Sequence, residues 1–420
     1  MNPDSVIVNG PYLVRSVAVQ GSKLSIQADF NATSPLEVIG ASKGTSRLLI
    51  NGKDTQFKKS KLGNWLVSPE VRLPSIKVPE LKTLDWQYVD SLPEVKKDFD
   101  DSEWPDADLK TTYNSKWPLN NSVSLYGGDY GFHAGALVFR GHFTADGSES
   151  TFKVWTFGGR AYGSSVWLDD KFLGSFTGYG TANNDTSTYK LPKTQKGKRY
   201  VLTVIVDNMG LNGNWVPGVD ETKQPRGILD WAVQTKSGKE TKISKWKITG
   251  NLGGEDYIDK FRGPLNEGGL YFERQGYHLP SPPLSKFKSG SPFKGLKTPG
   301  VAFYTAKLKL NLDSDKFDIP LSFVFKNNTE STGAYRALLF VNGFQYGRYV
   351  SNVGPQRVFP VPEGVLNYRG DNWIGVSLWS LEKSANLEGL SLAAGVPVQT
   401  GREPVTVVKG PKYVRRRGAY

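Results

Sequence analysis

The chain has 420 residues, with 53 Lys plus Arg, 40 Asp plus Glu and no Cys. An apolar share of 38% is too high for a disordered chain, and the length allows two or three domains with a core each. The lack of Cys excludes disulfides and thiolate chemistry, and no apolar run reaches the roughly 18 residues of a membrane-spanning helix. The formal charge of +13 is spread over loop-like stretches such as QFKKSK and KSGKETKISKWK. Together with the tail cluster Arg415–Arg417, this reads as solvated charge, so neither a nucleic acid nor a membrane is expected as partner.

In chain order, the first strand signal is KLSIQADF, where Leu24, Ile26 and Ala28 share a face. LLINGKD follows, with Asn51-Gly52 between apolar arms. Both central residues of a two-residue hairpin turn need positive φ, which Asn and Gly tolerate. The proline-punctuated LPSIKVPELKTLDW reads as a linker, and DSLPEVKKDF as an isolated helical turn. Next come ALVFRGHF, SSVWLDDKFLGSF and YVLTVIVDN, with Leu202, Val204 and Val206 on one face. YHLPSPPLSKFKSGSPFKG reads as a surface crossing, because its Pro and Gly cannot continue a strand ladder. VAFYTAKL, LSFVF, RALLFVNGFQYGRY and NWIGVSLW complete the series. Period two between frequent turns predicts antiparallel strands in sandwiches or barrels. The domains are expected at 1–79, 80–282 and 283–420.

Two of these stretches repeat. Gly174 and Gly347 close similar hairpins, and 347 − 174 = 173. Leu202, Val204 and Val206 correspond to Ile374, Val376 and Leu378, each 172 apart (374 − 202). Leu137, Phe139 and Phe143 correspond to Ala302, Tyr304 and Leu308, each 165 apart (302 − 137). Near-constant offsets over three strand pairs predict a duplicated sandwich, too long for a solenoid repeat. Where the second hairpin has Asn342-Gly343, the first has Asp169-Asp170. Asp tolerates the left-handed region less well than Gly, so a looser turn is expected there.

FDDSEWPDAD, GALVFRGHF, VWLDDKFLG and LTVIVDNMGLNGNW resemble the galactose-binding-like jelly rolls attached to large glycosidases. KFRGPLNEGGLYFERQGYHLP, with GPYLVRSVAVQGSKLSIQADFNATSPLEVIGA, is more specific. Together they resemble the C-terminal half of fungal β-galactosidases of glycoside hydrolase family 35, over essentially the whole chain. The resemblance implies an all-β fold: a small N-terminal β-domain followed by two jelly-roll sandwiches. It also implies that the family's catalytic TIM barrel, with both catalytic glutamates, is not encoded here. A barrel needs about 250 residues of alternating strand and helix. Retaining hydrolysis needs two carboxyl groups about 5 Å apart. The implied role is the non-catalytic accessory region of an enzyme that removes terminal non-reducing β-galactose. Its partners would be the barrel and a β-galactoside or galactan. A stand-alone carbohydrate-binding protein and a purely structural fragment stay open as alternatives. Fungal members are largely secreted, which implies an extracellular protein. MNPDSVIVNGPYLVRS lacks the basic and apolar blocks of a signal peptide. A truncated gene, a misread start codon or a real barrel-less protein would each look this way.

Candidate chemistry is sparse. Asn266-Glu267 superficially resembles an acid/base pair, but glycines follow it, so Glu267 is read as structural, fixing a loop between the sandwiches. Glu273 and Arg274 are expected to pair. The acids Asp98, Asp100, Asp101, Glu103, Asp169, Asp170 and Asp207 have no clear calcium-ligand spacing. His133, His142 and His278 lack zinc-ligand spacing. No catalytic residue, metal or cofactor is expected. Aromatics are the better lead, because sugar rings stack on them. Trp215, with Asn214, lies on a loop after a strand and is the candidate carbohydrate-binding pair. The competing reading packs Trp215 against Pro217 or a neighbouring domain. Trp104, Trp167 and Trp373 are expected in the core. Asn31, Asn120, Asn184 and Asn327 head N-glycosylation triplets.

Overall fold

A computed structural model describes residues 5–114, 116–218, 224–251, 266–326 and 333–410 of the protein. Among them α-helix is confined to one turn, Tyr271–Arg274, and Pro93–Val95 forms the 3-10 turn expected in DSLPEVKKDF. The rest is short strand and turn, in three sandwiches.

In the N-terminal sandwich one sheet runs Ile7–Asn9, Leu36–Ile39, Trp65–Val67, Lys58–Lys59. The other runs Leu13–Gln20, Lys23–Asp29, Arg47–Ile50, Lys53–Thr55. Leu24, Ile26 and Ala28 are fully buried between them, as their shared face predicts. Asp29 ties this unit to the far end of the chain. Its carboxylate accepts from Arg15 Nε (2.9 Å), Thr400 Oγ1 (2.9 Å) and the Gly401 N–H (3.0 Å).

The two larger sandwiches each have an inner and an outer sheet. The first inner sheet runs Lys171–Phe176, Ser164–Leu168, Arg199–Val206, Leu137–Thr144, Lys245–Thr249. The second runs Lys288–Ser289, Gln87–Asp90, Gly300–Lys309, Asp371–Ser380, Tyr335–Val341, Phe344–Val350. The repeat holds at the level of register. Leu137 pairs with Val206 as Ala302 pairs with Leu378, and Phe143 pairs with Tyr200 as Leu308 pairs with Asn372. Both hairpins carry a bulge at the same place, between Val166 and Trp167 and between Leu339 and Phe340.

The glycines opposite those bulges have a packing reason. A Cβ on Gly174 would lie 2.4 Å from the Tyr189 ring, and one on Gly347 2.7 Å from the Phe359 ring. Neither glycine needs its backbone freedom; each leaves room for a ring. The turns share a second device. Asn51, Asp169 and Asn342 take φ of 49°, 47° and 48°. Their side-chain oxygens accept N–H groups of the adjoining strand: Ala28 (2.8 Å), Val201 (2.9 Å) and Trp373 (2.8 Å). The turn at Asp169 is therefore anchored like the others rather than looser, since its carboxylate takes the strand N–H that Asn Oδ1 takes elsewhere.

The inner sheets also pack against each other. Phe139, Val166 and Val204 enter the first sandwich's core, while their neighbours Val138, Trp167 and Ile205 enter a core shared by both sandwiches. Tyr304, Leu339 and Leu378 fill the second core, while Phe303, Leu338, Phe340 and Trp379 fill the shared one. Trp104 and Trp167 are buried as expected, but in this shared core; Trp373 is only half-buried, beneath Lys307.

The expected assignment of 80–282 to the first sandwich fails at its start. Gln87–Asp90 pairs with Gly300–Lys309, and Leu81 and Trp86 enter the second core. The segment expected as a surface crossing without strand instead contributes Lys288–Ser289 to the same sheet, and Phe287 anchors it in the shared core. An edge strand needs partners on one side only, which the Pro-rich flanks permit.

A polar seam runs beside the shared core. Arg348 donates from Nη1 to Asp207 (2.5 Å) and from Nε to Glu267 (3.0 Å). Asn266 Oδ1 accepts the Gln345 N–H (2.7 Å), and its Nδ2 donates to the Gly343 carbonyl (2.9 Å). Arg336 reaches into the first sandwich, donating to the carbonyls of Ala161 (3.1 Å) and Thr177 (2.7 Å). Arg274 pairs with Glu94, not with Glu273. Glu273 instead accepts the N–H groups of Gly268 (2.7 Å) and Leu270 (3.0 Å), satisfying donors at the start of the helical turn that neighbours its own position. Burial, reinforced by the Glu267 charge, pushes Glu273 up to about 7.

Two predictions follow from this packing. Gly174→Ala and Gly347→Ala each force a Cβ into a ring and should cost about 1–3 kcal/mol in urea unfolding. Tyr189→Ala should remove most of the penalty of Gly174→Ala, so the pair will be non-additive. Glu273 holds its proton in the folded state over a window where the unfolded chain has released it. Its contribution is full below its ordinary value near 4.5 and is lost as pH rises through about 7. Unfolding free energy measured from pH 4.5 to 7.5 should fall by on the order of 1–3 kcal/mol more in the native protein than in Glu273→Gln.

Candidate functional site

The segment 207–215 leaves the strand Arg199–Val206 at one end of the first sandwich. Its root is held on both sides. Asp207 pairs with Arg348, and Asn208 Nδ2 donates to the His133 carbonyl (3.3 Å). Arg226, which precedes the strand Gly227–Thr235, braces the next turn. Its Nε donates to the Gly210 carbonyl (2.9 Å) and its Nη2 to Asn212 Oδ1 (3.1 Å), while Asn212 Nδ2 donates to Gln224 Oε1 (2.8 Å). Burial pulls Arg226 down to about 10, and its guanidinium stacks 5.0 Å from the Phe157 ring centroid.

Beyond this brace the side chains turn outward. Trp215 is 90% exposed, so among the described residues it packs neither on Pro217 nor on another domain. Leu211 is half-exposed and lines a cleft of about 390 Å³ with Tyr113, Tyr126, Asp129, His133 and Arg226. Tyr113 is also 90% exposed. Asp129 accepts from Thr112 Oγ1 (3.1 Å) and Ser124 Oγ (2.5 Å), which fixes the chain beside Tyr113. A second cleft of about 640 Å³ lies across the segment, lined by Met209, Glu267, Gln345, Arg348 and Phe359.

The chemistry available here is recognition. Glu267 is engaged by Arg348 and Gln345, Asp129 by hydroxyls, and Arg226 by carbonyls. Exposed rings beside amides and hydroxyls suit a hydroxyl-rich ligand with apolar C–H faces. Three of the other acids named above have structural partners. Asp101 pairs with Arg140 and with His142 Nε2 (2.7 Å), Asp100 accepts the Ser102 N–H (3.0 Å), and Asp169 caps a strand. Asn31, Asn120 and Asn184 are exposed, and Asn327 lies outside the described residues.

The sequence pointed to Trp215 and Asn214 as candidates and gave no sign of Tyr113, Tyr126 and Arg226, which line the neighbouring cleft. Tyr113 lies 102 positions before Trp215 (215 − 113), in a stretch without strand pattern. The usable signal was YGGDYGFHAGA, whose glycines permit the tight 3-10 turn Gly127–Tyr130 that walls the cleft.

The family described as beta-galactosidase second all-beta domain matches residues 99–212 and again 271–384, together more than half of the chain. The two matches start 172 positions apart (271 − 99), the repeat offset seen in the strands. The family described as beta-galactosidase, domain 3 matches residues 1–66. A probable beta-galactosidase A of Neosartorya fischeri is 54% identical over 417 residues, covering 99% of this chain and 41% of its own length. Beta-galactosidase A of a Penicillium species is 52% identical and that of Aspergillus niger 51%, with the same shares covered. The chain thus spans about two fifths of the length of these curated relatives. Among solved structures, a glycosyl hydrolase family 2 member from Bacteroides cellulosilyticus aligns over 73% of this chain and 32% of its own. At 14% identity and a TM-score of 0.21, that overlap is too loose to extend the fold comparison. The chain belongs to the β-galactosidase family and corresponds to the non-catalytic accessory β-sandwich region of its fungal members.

Proposed function

We propose that the two larger sandwiches are galactose-binding-like jelly rolls that buttress a catalytic TIM barrel in the complete protein. In this reading the loop carrying Asn214 and Trp215 offers a stacking face to a β-galactoside or galactan at the rim of the barrel's pocket. The observation that carries it is the 90% exposed indole of Trp215 on a loop with a braced root. A large ring left in water adds little to folding. Held in place with a polar atom at one end, it suits a ligand with one apolar and one hydroxylated face. The complete protein acts outside the cell, and Asn31, Asn120 and Asn184 are available at the surface for glycans.

The chain by itself supplies the scaffold and the rim, not the reaction. The purified chain should turn over p-nitrophenyl β-galactoside no faster than a heat-killed control. Turnover above that control would refute the accessory reading. Trp215→Ala in the complete protein should raise KM for lactose or longer galactosides roughly two- to tenfold, the value of one lost ring contact. Unchanged kinetics on both substrates would sink the rim role and favour a purely structural region. Saturable galactan binding to the isolated chain by calorimetry, without turnover, would favour a stand-alone binding module.

A further inference from the structure

The N-terminal sandwich is open along one side. Leu13–Gln20 is the outermost strand of its sheet and, among the described residues, pairs only with Lys23–Asp29. The register sets Val17 opposite Ile26 and Val19 opposite Leu24. Directly opposed residues of an antiparallel pair project to the same face. Both valines therefore point the way Leu24 and Ile26 point, into the core. Leu24 and Ile26 are fully buried, yet Val17 and Val19 are 36% and 46% exposed. The inward face of this sheet runs on past its cover. Leu13, at the start of the same strand on its outward face, is also 45% exposed.

The strand otherwise has the pattern of a covered one. Its outward positions Ser16, Ala18 and Gln20 are small or polar. Soluble proteins guard free sheet edges with Lys, Pro or inward-pointing charge. Here the one charge is Arg15, at the bulge between Val14 and Ser16, and its guanidinium is folded back onto Asp29. From Ser16 to Gln20 the edge is regular and unguarded.

We propose that this edge seats an amphipathic β-strand from the part of the complete polypeptide that lies outside this chain. That strand pairs with Ser16–Gln20 and lays apolar side chains over Val17 and Val19. The inference rests on reading the chain as the accessory region of a longer β-galactosidase, whose curated relatives carry more than twice its length. A second copy of the chain fits the edge less well. One strand edge of eight residues falls far short of the roughly 1,200 Å² that a stable dimer buries. A tethered strand needs no such area, because the covalent link supplies an effective concentration near the millimolar range.

The test compares the isolated chain with a fusion. The fusion is full-length Aspergillus niger beta-galactosidase A carrying this chain in place of its own matching residues. Amide hydrogen exchange should slow at least ~10-fold at Ser16–Gln20 in the fusion, because pairing turns a free edge into an interior strand whose amides exchange only when that pairing opens. The double variant V17E/V19E should lower the fusion's Tm by roughly 4–8 °C more than it lowers the isolated chain's, where both valines are already partly in water. If that variant does not fold in the fusion, V17T/V19T replaces it and the exchange comparison stands without it. An active fusion with unchanged exchange at Ser16–Gln20 overturns the inference alone. Protection of those amides in the isolated chain that disappears on dilution overturns it in favour of a second copy. A fusion that folds without β-galactosidase activity overturns the accessory reading and this inference with it.

Discussion

The structure depends on one constraint: each inner sheet of the paired sandwiches is covered on both faces. One face closes its own sandwich and the other closes the core shared with the neighbour. Separating the sandwiches would bare Trp167, Phe303, Phe340 and Trp379 together with Asp207 and Arg336. Uncovered aromatic area alone costs about 25 cal/mol per Å². A buried ion robbed of its partner costs several kcal/mol more. The two halves therefore fold as one body, and the seam through Asn266, Glu267 and Arg348 fixes their spacing.

Duplication supplied two similar faces, and their differences fix how they meet. Position 163 in the first copy corresponds to 336 in the second (336 − 163 = 173), and 207 corresponds to 379 (379 − 207 = 172). Arg336 lies 3.7 Å from Asp207. The equivalent residues are Gly163, which has no side chain, and Trp379, whose Nε1 donates to Ser165 Oγ (3.0 Å). A cationic corner thus exists at one end of the shared core only. Exchanging the copies would set Arg336 against an indole and leave Asp207 without a cation. A buried pair of this kind adds little net stability, but it discriminates strongly against the wrong arrangement.

What could be read from the sequence was what depends on near neighbours. Alternation identified Leu24, Ile26 and Ala28, and the repeat offsets matched residues whose pairing register the structure reproduces. The Asn-Gly turns followed from φ alone. The reading failed where a residue's partner is distant. The turn at Asp169 was expected to be loose because the partner that anchors it, the Val201 N–H, is 32 positions away (201 − 169). Gln87–Asp90 was assigned by chain order, but its strand pairs with Gly300–Lys309. The shared core left one local sign, the near-continuous apolar run of ALLFV within Tyr335–Val341, buried along its whole length. Such runs mark strands covered on both faces, a signal that period-two counting passes over.

The same constraint explains why the loop with Trp215 can carry a role that its local sequence does not reveal. Val204 and Val206 fix one face of the parent strand in the first core, and Ile205 fixes the other in the shared core. Asp207 then carries the strand's direction into the seam, and Arg226 holds the turn at Gly210 and Asn212. Leu211, between these two anchors, is already half-exposed, and past them Trp215 turns fully out to solvent. A ring at the tip of a free loop would lose much of its contact energy to ordering on binding. A ring on a root fixed by two cores and a buried arginine loses less. The rigidity that the proposed role of Trp215 requires thus comes from both sandwiches, through Arg226 of the first and the Asp207–Arg348 pair with the second.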